Sequence, residues 1–351
     1  MKVPRRIGLC MGRMSEINDG LSEFKSQLGL ELARSAERLK EEEGIEFTFR
    51  VKEKFHGFFG SHVRYLPIEN HQRWWRDPTP SFDVWHTTDQ LNPYLPPRHC
   101  KRMLLTVHDL NFAYAKKGLS LHRYMWQLNR RIRQYDEIIT ITNHVKADVE
   151  RLLTFKGPIQ TIHNGVRDLS QLRRGPVEGV KPPYLLHLSR MAPTKNVEAI
   201  LGLAAIWPEQ QFVLAGPQSP NFERIRQHIE ASGLRNVLMR NDVTDAQKAW
   251  LYANCEGFIF PSFTEGFGLP PIEAMSFGKP VFLSRLTSLP EVGGDVAKYF
   301  ADFSPAHMKS LIQSTLSAPP SASTIVARAH NFSWEACTER YIRHYVKSSQ
   351  K

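Results

Sequence analysis

The chain has little with which to hold a metal, span a membrane or build a disulfide framework. It contains four cysteines, Cys10, Cys100, Cys255 and Cys337, all far apart. None has metal-ligand spacing and so sparse a set does not staple a fold, which implies a reduced setting. No Asp-x-Asp triplet occurs, whereas hard divalent cations favour clustered carboxylates. Metal-independent chemistry without a cofactor is therefore expected. No apolar run approaches the roughly 18 residues of a membrane-spanning helix. Residues 1–13 are basic but lack a long apolar segment, so they do not read as a secretory signal, and a cytoplasmic protein is expected. Short repeats and low-complexity tracts are also missing. The net charge of +11 is dispersed and belongs to no nucleic-acid-binding module, so nucleic acid is not an expected partner. The charge suits a phosphate-bearing small molecule, or an anionic membrane surface met peripherally.

What is present is apolar material for large cores, 41% of 351 residues, enough for two ordinary domains. Strand-like and helical segments alternate almost throughout, the pattern of parallel α/β architecture. Strands are predicted at 7–11, 45–51, 63–68, 82–87, 103–107, 138–141 and 159–162, with helices at 21–43, 121–135 and 145–153. In the helix at 21–43, Leu28, Leu32, Ala36 and Leu39 recur near helical spacing. The scheme repeats from 184 onward, with strands at 184–188, 212–215, 237–239, 257–260 and 281–284 and helices between them. Residues 168–183 are rich in Arg, Gly and Pro and read as a linker. Domains are expected at 1–167 and 184–330, with a last helix over 331–351.

The stretch 260–275, FPSFTEGFGLPPIEAM, organises the second half. The apolar run 257–260 reads as a buried strand. Gly266 and Gly268 then let backbone approach a ligand closely. Pro270 and Pro271 follow at a helix start, where a missing N–H costs nothing. A strand, a glycine turn and a helix N-terminus make an anion site, through free amides and the helix dipole. Glu265 and Glu273 bracket it and would repel a phosphate. They suit the flanks of a nucleotide sugar: Glu273 can accept hydrogen bonds from a ribose diol, and Glu265 can hold sugar hydroxyls and favour positive charge at the anomeric carbon. Arg190 and Lys195, in a second strand-to-helix turn, would converge on the diphosphate as a planar fork and a point charge.

The spacing of the two glutamates alone is a weak motif. Embedded in this strand, turn and helix, it resembles the signature of the retaining family 4 glycosyltransferases, which carry Glu-x7-Glu after a Pro-Ser strand end. The resemblance implies the GT-B fold: two Rossmann-like domains facing across a cleft, with the last helix crossing back to the first domain. It implies diphosphate contacts from Arg190, Lys195, Gly20, Gly268 and Leu269, ribose contacts from Glu273, and donor-sugar contacts from Glu265, Gly266, Phe267 and Gly268. His108, at a strand end, matches a family histidine near the transferred sugar and joins Glu265 as a catalytic candidate. The loop 240–244, with Val243, would cup the base. His86 is an expected acceptor contact.

Where the family often has a Gly-Gly pair before the first long helix, this chain has Asp19-Gly20. The expected partners are a GDP- or UDP-hexose and a glycan or lipid-linked acceptor, with GDP-mannose leading by overall resemblance to bacterial mannosyltransferases of surface-polysaccharide and lipopolysaccharide assembly. A non-catalytic GT-B scaffold is the alternative. Trp74 and Trp75, flanked by Arg73 and Arg76, suit either a sugar or lipid contact or a buried anchor under a loop.

Overall fold

A computed structural model describes residues 4–12, 14, 20–115 and 118–350. Asp19 lies outside them. The chain forms two compact units, one of residues 1–165 with 334–351 and one of residues 166–333.

In the first unit seven strands form one parallel sheet. They are β1 (Arg5–Cys10), β2 (Ile45–Val51), β3 (Arg64–Pro67), β4 (Phe82–Thr87), β5 (Cys100–Val107), β6 (Glu137–Thr140) and β7 (Ile159–Thr161). Their order is β3-β2-β1-β4-β5-β6-β7, with every ladder parallel. Connections run through α1 (Gly20–Glu43), α2 (Phe112–Ala115), α3 (Gly118–Ile132) and α4 (Asn143–Leu152). A parallel sheet is covered on both faces, so its strands read as near-continuous apolar runs rather than alternating ones. On α1 the buried positions include Leu28, Leu32, Ala36 and Leu39, the four that the periodicity marked. The short α2 has no periodic signal and was not anticipated.

The second unit repeats the plan with six parallel strands: β8 (Leu185–Leu188), β9 (Phe212–Gly216), β10 (Val237–Asn241), β11 (Gly257–Phe260), β12 (Val281–Ser284) and β13 (Lys298–Phe300). Their order is β10-β9-β8-β11-β12-β13. The connecting helices are α5 (Val197–Ala205), α6 (Pro220–Ala231), α7 (Asp245–Asn254), α8 (Leu269–Ser276) and α9 (Leu289–Gly293), followed by α10 (Pro305–Ser317) and α11 (Ala322–His330). Residues 168–183, read from composition as a linker, pack within this unit. Leu169, Val177 and Val180 are buried there, and Gly175 donates its N–H to Ala246 at 3.0 Å.

The final helix, α12 (Trp334–Ser349), belongs to the first unit and packs on α1. Its Trp334, Tyr341 and Tyr345 enter the core that Phe24, Leu28 and Phe47 build. The Tyr345 hydroxyl reaches His86 Nδ1 at 2.7 Å. A helix from the far end of the chain is thus a wall of the first unit's core. Truncating Tyr345 to Ala should cost roughly 3–5 kcal/mol, as for other large core aromatics. Urea unfolding checks this, and a loss under about 1 kcal/mol would mean that the site collapses around the gap.

Candidate active site

The winding of the second sheet reverses between β8 and β11, and open α/β sheets bind ligands beyond the strand carboxyl ends at such a reversal. Two loops leave the sheet there, 189–196 after β8 and 261–268 after β11, and they are tied to each other. Phe263 donates its N–H to Thr194 O at 2.7 Å, and the Ser262 hydroxyl donates to the same carbonyl at 2.9 Å. Beneath them His187 is buried, with Nδ1 donating to Ile259 O at 2.8 Å and Nε2 facing the Ser189 hydroxyl at 2.8 Å. Burial pushes the His187 pKa down to about 4, the Ile259 carbonyl opposing and Lys195 reinforcing the shift. A neutral ring donating at Nδ1 accepts at Nε2; Ser189 Oγ in turn takes the Met191 N–H at 3.0 Å. A Cβ on Gly216 would lie 2.0 Å from Ser189 O, so only glycine lets β9 pass beside this loop.

These ties bring the predicted residues of the two loops together. Lys195 Nζ lies 2.5 Å from Glu265 Oε1, with side chains 15% and 11% exposed. The ammonium also sits 5.5 Å from the Phe260 ring centroid. Arg190 is exposed and, among the described residues, has no ion pair. The Glu265 backbone is pinned on both sides. Its N–H donates to Thr287 Oγ1 at 3.0 Å, and its carbonyl accepts from the Ser288 hydroxyl at 3.0 Å, which also reaches Phe267 O at 2.9 Å. Neither Thr287 nor Ser288 had been expected in this role, because hydroxyl residues in a loop carry no pattern.

Helix α8 opens at Leu269, one residue before the expected proline pair. Gly268 caps it at φ +105°, where a Cβ would come within 2.9 Å of Leu289. Pro270 and Pro271 carry no N–H, so Leu269 supplies the sole amide hydrogen of the first three helical positions. Those positions have no intrahelical acceptor, so the Leu269 N–H is open to an acceptor from outside the helix. Glu273 follows one turn later, half-buried, its Oε2 accepting from the Tyr252 hydroxyl at 2.7 Å. Burial holds its carboxyl above the usual value, while Tyr252 and Lys248 pull it back. Tyr252 stands on α7, whose start is fixed by a reciprocal Thr244–Gln247 cap. Val243 immediately precedes that cap and borders a depression of about 360 Å³ with Gly179, Arg240 and Gln247.

Three predicted residues lie on the first unit. Gly20 is the exposed first residue of α1. His108 follows β5, the strand beyond β4, while that sheet reverses between β1 and β4. Its Nε2–H donates to Thr88 O at 2.9 Å, and the Phe24 ring meets it edge-on at 4.6 Å. Burial lowers its pKa to about 4. The histidine is neutral, with the Nδ1 lone pair as its acceptor. Beside it Lys25 and Asp89 form a buried ion pair at 2.7 Å, which sequence reasoning missed because the partners are 64 residues apart.

The expected acceptor role of His86 is corrected. Its side chain is wholly buried, with Nδ1 on Tyr345 and Nε2 2.7 Å from Thr106 Oγ1. Burial drives its pKa to about 3. It is a core residue that anchors α12.

Two family descriptions match the chain in tandem, Glycosyltransferase Family 4 over residues 32–168 and Glycosyl transferases group 1 over residues 170–332. The chain belongs to the family 4 glycosyltransferases, enzymes of the GT-B fold, and is similar to bacterial mannosyltransferases. The Escherichia coli O-antigen chain mannosyltransferase B is 29% identical over 279 residues, 72% of either chain. Among solved structures, the Thermosynechococcus elongatus sucrose-phosphate synthase superposes with a TM-score of 0.73 at 19% identity, covering 98% of both chains. Anabaena HepE, solved with UDP and glucose, gives 0.66 at 16% identity, covering 97% of this chain and 99% of that one.

His86, His108 and His187 are neutral when folded and would take protons below about pH 6.5 when unfolded. Their contribution to stability is complete above pH 6.5 and is lost as pH falls toward about 4. Imidazole NMR titration between pH 8 and 5 should find these three rings silent; a His108 titrating near 6.5 would contradict its burial. Ser288→Ala strips a donor from two carbonyls and should cost about 1–3 kcal/mol, measured by chemical unfolding, while weakening donor binding.

Proposed function

We propose that the enzyme transfers a mannosyl group, with retention, from GDP-mannose to a hydroxyl of a surface glycan or its lipid-linked carrier. The observation that carries this reading is the Lys195–Glu265 pair at the reversal of the sheet, beside the Leu269 amide. The E. coli relative, named an O-antigen chain mannosyltransferase, supports mannose and polysaccharide assembly.

In this reading the donor diphosphate takes Lys195 from Glu265 and engages Arg190 and the Leu269 N–H. Gly268 leaves room for its approach. Glu265, released, holds sugar hydroxyls along with the Gly266–Gly268 backbone and the Phe267 wall. Glu273 accepts from the ribose diol, and the loop at Val243 borders the base. As the anomeric C–O bond breaks, its electron pair passes to the β-phosphate oxygen. The growing charge meets two cations and a helix end gathered around the diphosphate when the donor binds. The acceptor hydroxyl attacks on the same face, and its proton goes to that departing oxygen. On the first unit, the Nδ1 lone pair of His108 suits a sugar hydroxyl. Two protein cations do here what a divalent ion does elsewhere, so the reaction proceeds in EDTA.

Anabaena HepE, solved with UDP and glucose, favours a second reading in which the donor is a UDP-hexose. Thermal stability in GDP, UDP and ADP separates the two, since a ligand at 100 times its Kd adds about 2.7 kcal/mol. Stabilisation by GDP alone is expected, and stabilisation by UDP alone would overturn the guanine donor. With radiolabelled donor and acceptor, Lys195→Ala should lower kcat roughly 10²–10³-fold. Glu273→Ala should raise the donor KM. Unimpaired transfer by Lys195→Ala would refute the diphosphate assignment. Nucleotide binding without turnover on any acceptor would point to a scaffold.

A further inference from the structure

Helix α3 is exposed on a face that a helix of a folded enzyme normally hides. Leu119, Arg123, Trp126 and Arg130 fall at i, i+4, i+7 and i+11, one stripe of a helix. All four are exposed, Leu119 at 89% and Trp126 at 63%. Arg130 lies 5.7 Å from the Trp126 ring centroid. The opposite side does the packing: Leu128 and Ile132 are buried, and Arg131 donates to Gln90 O at 3.1 Å. Residues 110–135 contain six Lys or Arg and no Asp or Glu. Among the described residues, no carboxylate pairs with Arg123, Arg130 or Arg133.

The exposed stripe continues past the end of the helix. Arg133 borders a depression of about 490 Å³ with Phe155 and Lys156, and Thr154 is tied to α3 by its N–H on Asn129 Oδ1 at 2.6 Å. Arg76 donates to Gln134 at 2.8 Å, which ties the loop of Trp74 and Trp75 to the segment just after α3. Both tryptophans are exposed, at 76% and 62%, so they are not the buried anchor under a loop that their sequence also allowed. Three exposed tryptophans interleaved with unpaired arginines are out of place in water, because indole is mostly buried in soluble proteins.

We propose that α3 and the adjoining Trp74–Trp75 loop form a docking surface for an anionic phospholipid bilayer. The partner is chosen by charge complementarity. A basic, acid-free helix face carrying Leu and Trp is the chemistry of interfacial helices, whose apolar side chains enter the acyl boundary while cations meet headgroup phosphates. The depression between Arg133 and Lys156 takes one such phosphate, with Phe155 against the chain below it. Arginine stems extend along apolar material and keep the charged end in the headgroup layer. This depression lies where residues 133 and 154–157 lead into the amino ends of β6 and β7. Ligands bind at the carboxyl ends of such strands, so this depression lies away from the first unit's reversal point. The inference stands apart from the choice of donor.

The test is flotation of the full-length protein with phosphatidylcholine vesicles, with or without phosphatidylglycerol. Binding to the anionic vesicles is expected to exceed binding to neutral ones by about tenfold or more and to weaken with added salt. The exposed double variant Arg123→Glu/Arg130→Glu, folded by circular dichroism, should lose about tenfold or more. Trp126→Ala should reduce binding while keeping the salt dependence. Equal partition onto neutral vesicles, unchanged binding of the double variant, or a concentration-dependent dimer that these variants abolish without any vesicle binding would each overturn the proposal.

Discussion

An ammonium and a carboxylate 2.5 Å apart, each only slightly exposed, join the two loops that meet where the second sheet's winding reverses. Taking two charges out of water is costly, and such a pair often adds nothing to stability. What it supplies is a cation fixed in a site of low dielectric, where charge is worth far more than in water. Lys195 lies on the loop after β8 and Glu265 on the loop after β11, and a doubly wound sheet brings those two loops together where its winding reverses.

The surroundings show what that position demands. Ser262 and Phe263 lash one loop to the other through Thr194 O. His187 sets Ser189 from below, and Ser288 holds two carbonyls of the glutamate loop from the side. Gly216 and Gly268 stand where any side chain would strike neighbouring atoms. Each is small in energy, yet together they hold the backbones of the two loops that carry Lys195 and Glu265. A catalytic cation that is already in place stabilises a growing negative charge without the cost of moving.

Much of this was legible in the sequence. Buried parallel strands are continuous apolar runs, so nearly every strand could be located, and the glycines, prolines and glutamates of 260–275 marked a strand, a turn and a helix start. The basic pair Arg190 and Lys195 stood out for the same reason, since it follows a strand and opens a helix. Other features are properties of the folded chain alone. Nothing in the spacing of Lys25 and Asp89, or of Ser288 and Phe267, says that they meet. A histidine at a strand end looks the same whether it faces a ligand or the core, and His86 faces the core because α12 returns to cover it. Composition made 168–183 look like a linker, while three irregularly spaced apolar residues, Leu169, Val177 and Val180, tie it to the second unit. Exposure of Trp126 is likewise invisible until the helix is docked.

The account rests on Lys195 exchanging one anion for another. A crystal structure with an intact, non-hydrolysable sugar nucleotide tests this most directly. It should show Lys195 Nζ at hydrogen-bond distance, about 2.7–3.0 Å, from a diphosphate oxygen, the Leu269 N–H on the same group, and Glu265 turned to sugar hydroxyls beyond about 4 Å from the lysine. A nucleotide lodged elsewhere, with the Lys195–Glu265 contact intact, would contradict it.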